Sequence, residues 1–223
     1  MTTAITPEAS ASSDGLAPTI RTFHPRRGRL TARHRESLAH LLPKYGFVVT
    51  ERPLVLEIGS GMGEAALAMA AADPGRDYLA VEIHTPGVAN LLAAVEERGL
   101  TNVRVVVGDA LELLRDRIPP ARLDAIHVYF PDPWPKARHH KRRLVQPAHV
   151  ALLASRLAPG GRLHCATDDA GYAAAMLATL TASSLVNCFE SYAPRDERRP
   201  LTKFEQRARE AGRDVFDLVF RRP

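Results

Sequence analysis

Leu54-Val55-Leu56-Glu57-Ile58-Gly59-Ser60-Gly61-Met62-Gly63-Glu64 is the stretch on which the fold turns. Five mostly apolar residues read as a buried strand, three glycines as a tight turn, and the Ala- and Leu-rich residues to 72 as a helix. Such a unit brings backbone close to a ligand at the carboxyl end of the strand, where open α/β sheets bind. The spacing argues against a dinucleotide fingerprint: G-x-G-x-x-G would require glycine at 64, and the chain has Glu64. A pyrophosphate would also sit poorly against Glu57 and Glu64.

Outward from this unit the pattern repeats. Strand-like runs at 78–82, 103–107, 123–130 and 162–167 alternate with helix-length segments at 85–98, 109–116, 146–157 and 169–182. Short apolar runs alternating with helices predict parallel strands covered on both faces, hence an α/β fold with a doubly wound, mostly parallel sheet. Two late strands, 188–192 and 215–221, lack a long intervening helix of that kind and are expected to pair antiparallel at the C-terminal edge. The total is seven strands, the finish of a methyltransferase-type sheet rather than a dehydrogenase one.

With 223 residues, the chain suits one α/β domain, assigned to 51–223. Residues 1–18 are small, polar and Pro-punctuated, and predict a disordered tail. Residues 19–50 form a basic arm, with Arg21, Arg26, Arg27, Arg29, Arg33 and Arg35, leading into a helix at about 33–42. That arm is either a solvated basic face or a contact for phosphates. No run approaches a membrane span of roughly 18 apolar residues, and no hydrophobic signal core opens the chain, so a cytoplasmic protein without membrane attachment is expected. Cys165 and Cys188 sit in apolar surroundings and read as buried free thiols, and His139 and His140 lack partners at metal-ligand spacing, so no metal is expected. A net charge of +5 permits a nucleic-acid partner without requiring one.

Three acids end three consecutive strands: Glu57, Glu82 and Asp109. Glu82 can accept from both ribose hydroxyls of a nucleoside, and Asp109 can meet an adenine edge. Three carboxylates suit a ligand carrying an ammonium and a sulfonium and no phosphate, which favours S-adenosylmethionine over NAD. Each alone could equally be a carboxylate at a helix N-terminus. After the fourth strand comes Phe130-Pro131-Asp132-Pro133-Trp134-Pro135-Lys136, which its prolines keep out of helix and which should form a rigid, exposed loop. Trp134 is either a stacking platform for a base or an aromatic that pins the loop. Thr202 and Glu205 read first as a capping box, and Thr167-Asp168 as a possible helix cap.

LEIGSGMG (56–63), VGDA (107–110), FPDPWPKARHHKRRLVQP (130–147), ATDDAGY (166–172) and TKFEQRA (202–208) together resemble the bacterial tRNA (guanine-N7)-methyltransferase family, from about residue 20 to the C-terminus. The resemblance implies a Rossmann-like class I methyltransferase fold, an S-adenosyl-L-methionine donor and a tRNA substrate methylated at N7 of guanosine 46 in the variable loop. It implies that Glu57, Gly59, Gly61, Glu82, Asp109 and Asp132 bind the donor, with Asp132 also the catalytic acid. Lys136, Asp168, Thr202, Lys203, Phe204 and Glu205 correspond to substrate contacts. Asp169, where an aromatic is common, and Ala208, where glycine is common, depart from the family pattern.

Guanine N7 carries a lone pair, so attack on a sulfonium methyl requires no deprotonation; alignment and stabilisation of the cationic product suffice. Asp132 would orient the base or stabilise that cation. Arg138, Lys141, Arg142 and Arg143 would grip RNA phosphates. The rival readings are an amino methyltransferase, whose turn after strand four would carry a second proline directly after the first, a tRNA-binding module without catalysis, and a nicotinamide dehydrogenase. Monomer and homodimer are both open.

Overall fold

The computed structural model describes residues 20–24, 28–48 and 50–223; the tail expected at 1–18, together with Arg26 and Arg27, lies outside them. Seven strands form one sheet in the order β3-β2-β1-β4-β5-β7-β6. They are β1 (Leu54–Ile58), β2 (Asp77–Glu82), β3 (Val103–Val107), β4 (Leu123–Tyr129), β5 (Leu157–Thr167), β6 (Val186–Asn187) and β7 (Phe216–Arg221). The first five pair in parallel, and β7 runs antiparallel to both β5 and β6. The order reverses at β1 and β4, and the crevice beyond their carboxyl ends is the ligand position of a doubly wound sheet.

The helices are α1 (Ala32–Tyr45), α2 (Glu64–Ala72), α3 (Thr85–Glu97), α4 (Ala110–Asp116), α5 (Pro147–Arg156), α6 (Ala170–Thr181) and α7 (Lys203–Glu210). Strand β1 is buried at all five positions, as the uninterrupted apolar pattern requires. One core face gathers Leu56, Leu79, Leu114, Ile126, Leu153 and Met176; the other gathers Val55, Leu67, Ala80, Val88, Leu91 and Val105.

Three elements differ from the expectation. Strand β5 begins at Leu157, because Gly160 takes a left-handed φ of 79° and lets the chain pair before its Pro-Gly-Gly bend. The strand expected at 188–192 is confined to Val186–Asn187 plus a single bridge from Ala193 to Asp217. Helix α1 extends to Tyr45, since Lys44 donates to Glu96 of α3 at 2.6 Å and the Tyr45 hydroxyl donates to the same carboxylate. Its start is a reciprocal capping box between Thr31 and His34, and it packs on α3.

Candidate active site

A cleft of about 210 Å³ opens at the carboxyl ends of β1, β2, β3 and β4. Gly59, Gly61, Glu82, Asp109, Phe130 and Asp132 line it, with Phe204 of α7 and Thr22, Phe23 and His24 of the N-terminal segment. Among the described residues no Lys or Arg lines this cleft.

The glycine loop is shaped by left-handed backbone, φ 74° at Gly59, 58° at Gly61 and 81° at Gly63. A Cβ at Gly63 would stand 2.3 Å from Leu91 Cδ1, so this position also lets α2 pack on α3. At Gly59 and Gly61 a Cβ would meet nothing within 4 Å, which leaves open space where the loop borders the cleft.

Glu82 stiffens this loop. Its Oε2 accepts the Gly61 N–H at 2.8 Å and its Oε1 accepts those of Ile83 and His84, each at 2.7 Å. An ionised carboxylate has about four lone-pair positions, so it retains capacity toward a hydroxyl ligand. Asp109 caps α4 by accepting the Leu111 N–H at 2.8 Å, and it also lines the cleft.

Glu57 is buried, at 6% exposure, and its Oε2 has no hydrogen-bond partner. Burial pushes its carboxyl up to about 8, the Ala66 N–H pulls the other way, and the charge on Glu82 adds to the rise. A buried carboxyl oxygen without a partner, on the strand that leads into the acid-lined cleft, fits a cationic ligand group, since an unpaired buried acceptor is costly. The residues present therefore fit the ammonium, sulfonium and nucleoside of S-adenosylmethionine.

Asp132 lines the cleft, and its Oδ2 accepts the His24 N–H at 3.2 Å. The loop that presents it is held on both sides. Phe130, at a left-handed φ of 51°, donates its N–H to Ala166 O at 2.8 Å, and its ring stacks on Phe204 with centroids 6.3 Å apart. Trp134 is 3% exposed: His24 stacks on it at 3.9 Å, Arg142 lies over its ring at 4.9 Å and His139 meets it edge-on. The loop is thus less exposed than its prolines suggested, and in this conformation the indole packs it. The cationic run continues as a 3-10 helix, Ala137–Arg142.

The cations of this run divide. Lys136, Arg138, Lys141 and Arg142 are exposed, whereas Arg143 is buried. Its Nε donates to Pro133 O at 2.8 Å and its guanidinium lies 4.6 Å from the Tyr172 ring centroid, which spends the charge on the loop rather than on an external phosphate.

Helices α7 and α6 each correct a reading. Thr202 is its N-cap, accepting from the Glu205 N–H at 3.4 Å, but the reciprocal half of the capping box is not made. Glu205 is wholly buried and accepts instead from Arg195 at 2.7 Å, Arg199 at 2.6 Å and Arg209 at 2.6 Å. Burial pushes its carboxyl up, but Arg195 and Arg199 outweigh it and hold the group below its ordinary value. Asp168 does not cap α6; Asp169 does, accepting the Tyr172 N–H at 2.7 Å, and Asp168 pairs with Arg213 at 2.9 Å. Phe204 is 46% exposed at the cleft mouth, and Lys203 clamps α7 to α2, its N–H and its ammonium each 3.0 Å from Glu64 carboxylate oxygens. His24 and Arg199 carried no local signal of a role; Glu64 was visible only as a break in the glycine pattern.

The sheet order and the acid-lined cleft define the protein class as a Rossmann-like methyltransferase. Among solved structures, the chain is similar to the 16S rRNA methyltransferase KamB, at 16% identity and TM-score 0.57 over 88% of this chain and 95% of that one. It is likewise similar to the aminoglycoside resistance methyltransferase NpmB1, at 17% identity and TM-score 0.54 over the same shares. A family described as "Putative methyltransferase" matches residues 51–218. Curated relatives called tRNA (guanine-N(7)-)-methyltransferase include those of Streptomyces avermitilis, 49% identical over 97% of this chain and 80% of that protein, and Nitrosospira multiformis, 50% identical over 91% and 94%. The chain belongs to the tRNA (guanine-N(7)-)-methyltransferase family. No helix among the described residues is long and apolar enough to cross a membrane, and no group of three or more His, Cys, Asp or Glu among them could hold a metal ion.

Proposed function

We propose that this protein transfers a methyl group from S-adenosylmethionine to N7 of guanosine 46 in the variable loop of tRNA, in the cytoplasm. The observation that carries this reading is the cleft itself, with Glu82, Asp109 and Asp132 on its wall, together with the buried Glu57 of β1, two residues before Gly59, whose Oε2 has no hydrogen-bond partner. A nicotinamide dinucleotide would bring two phosphates to that wall, and electrostatics disfavour it.

The donor supplies an electrophilic methyl. Glu57, Glu82 and Asp109, with Gly59 and Gly61, hold it through its ammonium and nucleoside. The protein then has to align N7 with the methyl carbon and sulfur, and exclude water. Asp132, on a loop packed by Trp134 and Arg143, faces the reacting centre; as a fixed carboxylate it orients the guanine edge and stabilises the cationic methylguanine without taking a proton. The Phe130–Phe204 pair flanks the base. Lys136 reaches guanine acceptors or a neighbouring phosphate, and the exposed Arg138, Lys141 and Arg142 bind the RNA backbone.

Incubation with methyl-labelled S-adenosylmethionine and unmodified tRNA, followed by nucleoside digestion and mass spectrometry, tests the reading. Label in 7-methylguanosine is expected, and a guanosine 46 to adenosine tRNA should take none. Label in another nucleoside would keep donor and fold and overturn the target.

A further inference from the structure

The largest wholly buried side chain of the described residues is a cation, Arg199, at 1% exposure. Each of its three nitrogens donates. Nε and Nη2 donate to the two Asp217 oxygens at 2.9 and 3.0 Å, and Nη1 donates to Glu205 Oε2 at 2.6 Å. Its guanidinium carbon lies 5.7 Å from the ring centroids of both Tyr129 and Phe130. The circuit closes on itself, because Asp217 also binds His164 Nε2 at 2.7 Å and His164 Nδ1 meets the Tyr129 hydroxyl at 3.2 Å.

A buried ion network is weak evidence for stability, since desolvation offsets much of its attraction; well-packed apolar residues often serve a core equally well. What distinguishes this one is what it joins. Glu205 stands in the first turn of α7, one residue after Phe204; Phe130 opens the turn that carries Asp132; and Phe130 and Phe204 stack on each other at the cleft. A planar fork with three fixed acceptors and two rings against it determines where these segments sit relative to one another, in a way that a point charge cannot.

We propose that Arg199 is a positioning residue for methyl transfer: it sets the Phe130–Phe204 slot against Asp132, so that the guanine meets the donor in line. This rests on the methyl-transfer reading above. Misplacement of a reacting group by about 1 Å can cost on the order of 100-fold in rate, so the effect belongs in kcat.

The test compares wild type with Arg199→Lys, which keeps charge and stem but loses the fork, and with Asp217→Asn as the second variant should the first not fold. Melting and S-adenosylhomocysteine affinity report fold and donor cleft. Acrylamide quenching of Trp134, the chain's single tryptophan, reports placement of the Asp132 loop without any substrate. Expected for the variant are a kcat at least tenfold lower, KM for tRNA and S-adenosylhomocysteine affinity within about threefold, and a more accessible Trp134. An unchanged kcat in the folded variant overturns the proposal, as does a raised KM together with a parallel loss of donor affinity and melting temperature, which marks a merely structural role. Should wild type form no 7-methylguanosine, the function falls, and quenching decides alone: a more accessible indole with donor affinity retained keeps the positioning role, and an unchanged one removes it.

Discussion

The proposed role of Asp132 and the packing of its loop pull apart experimentally. Its carboxylate faces the cleft and holds the His24 N–H, while the loop beneath it is fixed by contacts that do not involve its side chain, those of Trp134, Phe130 and Arg143. Asp132→Ala is therefore expected to shift melting by no more than a few degrees and tRNA affinity by no more than about twofold, while lowering turnover by a factor of at least 100 if the carboxylate stabilises the product cation as proposed. Single-turnover transfer alongside filter binding checks this; turnover near wild type would remove Asp132 from the chemistry. At this scale the sequence was most ambiguous, since Asp109 read as a helix-terminal carboxylate or a ligand contact, and the structure shows it capping α4 while lining the cleft.

The loop and 3-10 helix from 130 to 143 form the element in which similar residues serve different ends. Arg138 and Lys141 are exposed and Arg143 is buried against Pro133 and Tyr172, although all three lie in one cationic run. Arg138→Ala and Lys141→Ala together are expected to weaken tRNA binding about tenfold at low salt and to flatten the log-affinity against log-salt slope by roughly 1.5, with melting unchanged. Arg143→Ala is expected to do the reverse, lowering melting by several degrees, since it removes a buried side chain and strips the half-buried Pro133 carbonyl of its donor, at a cost of about 1–3 kcal/mol. Titrations at several salt concentrations with calorimetric melts distinguish the two classes, and a salt slope unaltered by the double substitution would place the RNA elsewhere. Composition alone cannot separate these arginines, because burial depends on where the following turn sets each side chain.

For the whole molecule, the buried Glu57 links the donor cleft to stability. Its carboxyl titrates at about 8 when folded against an ordinary 4.5, so between those values the folded state keeps a proton that the unfolded state has lost. Stability therefore falls as pH rises from 4.5 through 8, by an amount on the order of 5 kcal/mol for this group taken alone. Glu57→Gln, neutral throughout, is expected to melt higher than wild type at pH 8.5, to match it near pH 5, and to bind S-adenosylmethionine at least tenfold more weakly. Melting curves at the two pH values with calorimetric titration of the donor check this. Equal melting of variant and wild type at pH 8.5 would show that the buried charge costs nothing.

Much was legible in the chain before any coordinates. Strands β1 and β3 fall where their apolar runs fall, because a five-residue run bounded by turn residues has few other uses in an alternating pattern. The glycine loop and the strand-end acids followed from the same local logic. By itself the sequence determined the fold class, the acid-ended strands and the non-helical course of the Asp132 loop, all of which depend on residues near one another along the chain. Only the tertiary structure decided that His24 lies over Trp134, that Arg143 turns inward, that Glu64 ties α2 to α7, and that Arg199 joins Glu205 to Asp217 and Phe130. These contacts join residues from segments brought together by the sheet's crossovers and by the arm's return over the cleft, and a charge in a polar loop has no local pattern to say whether water or a buried carboxylate will hold it.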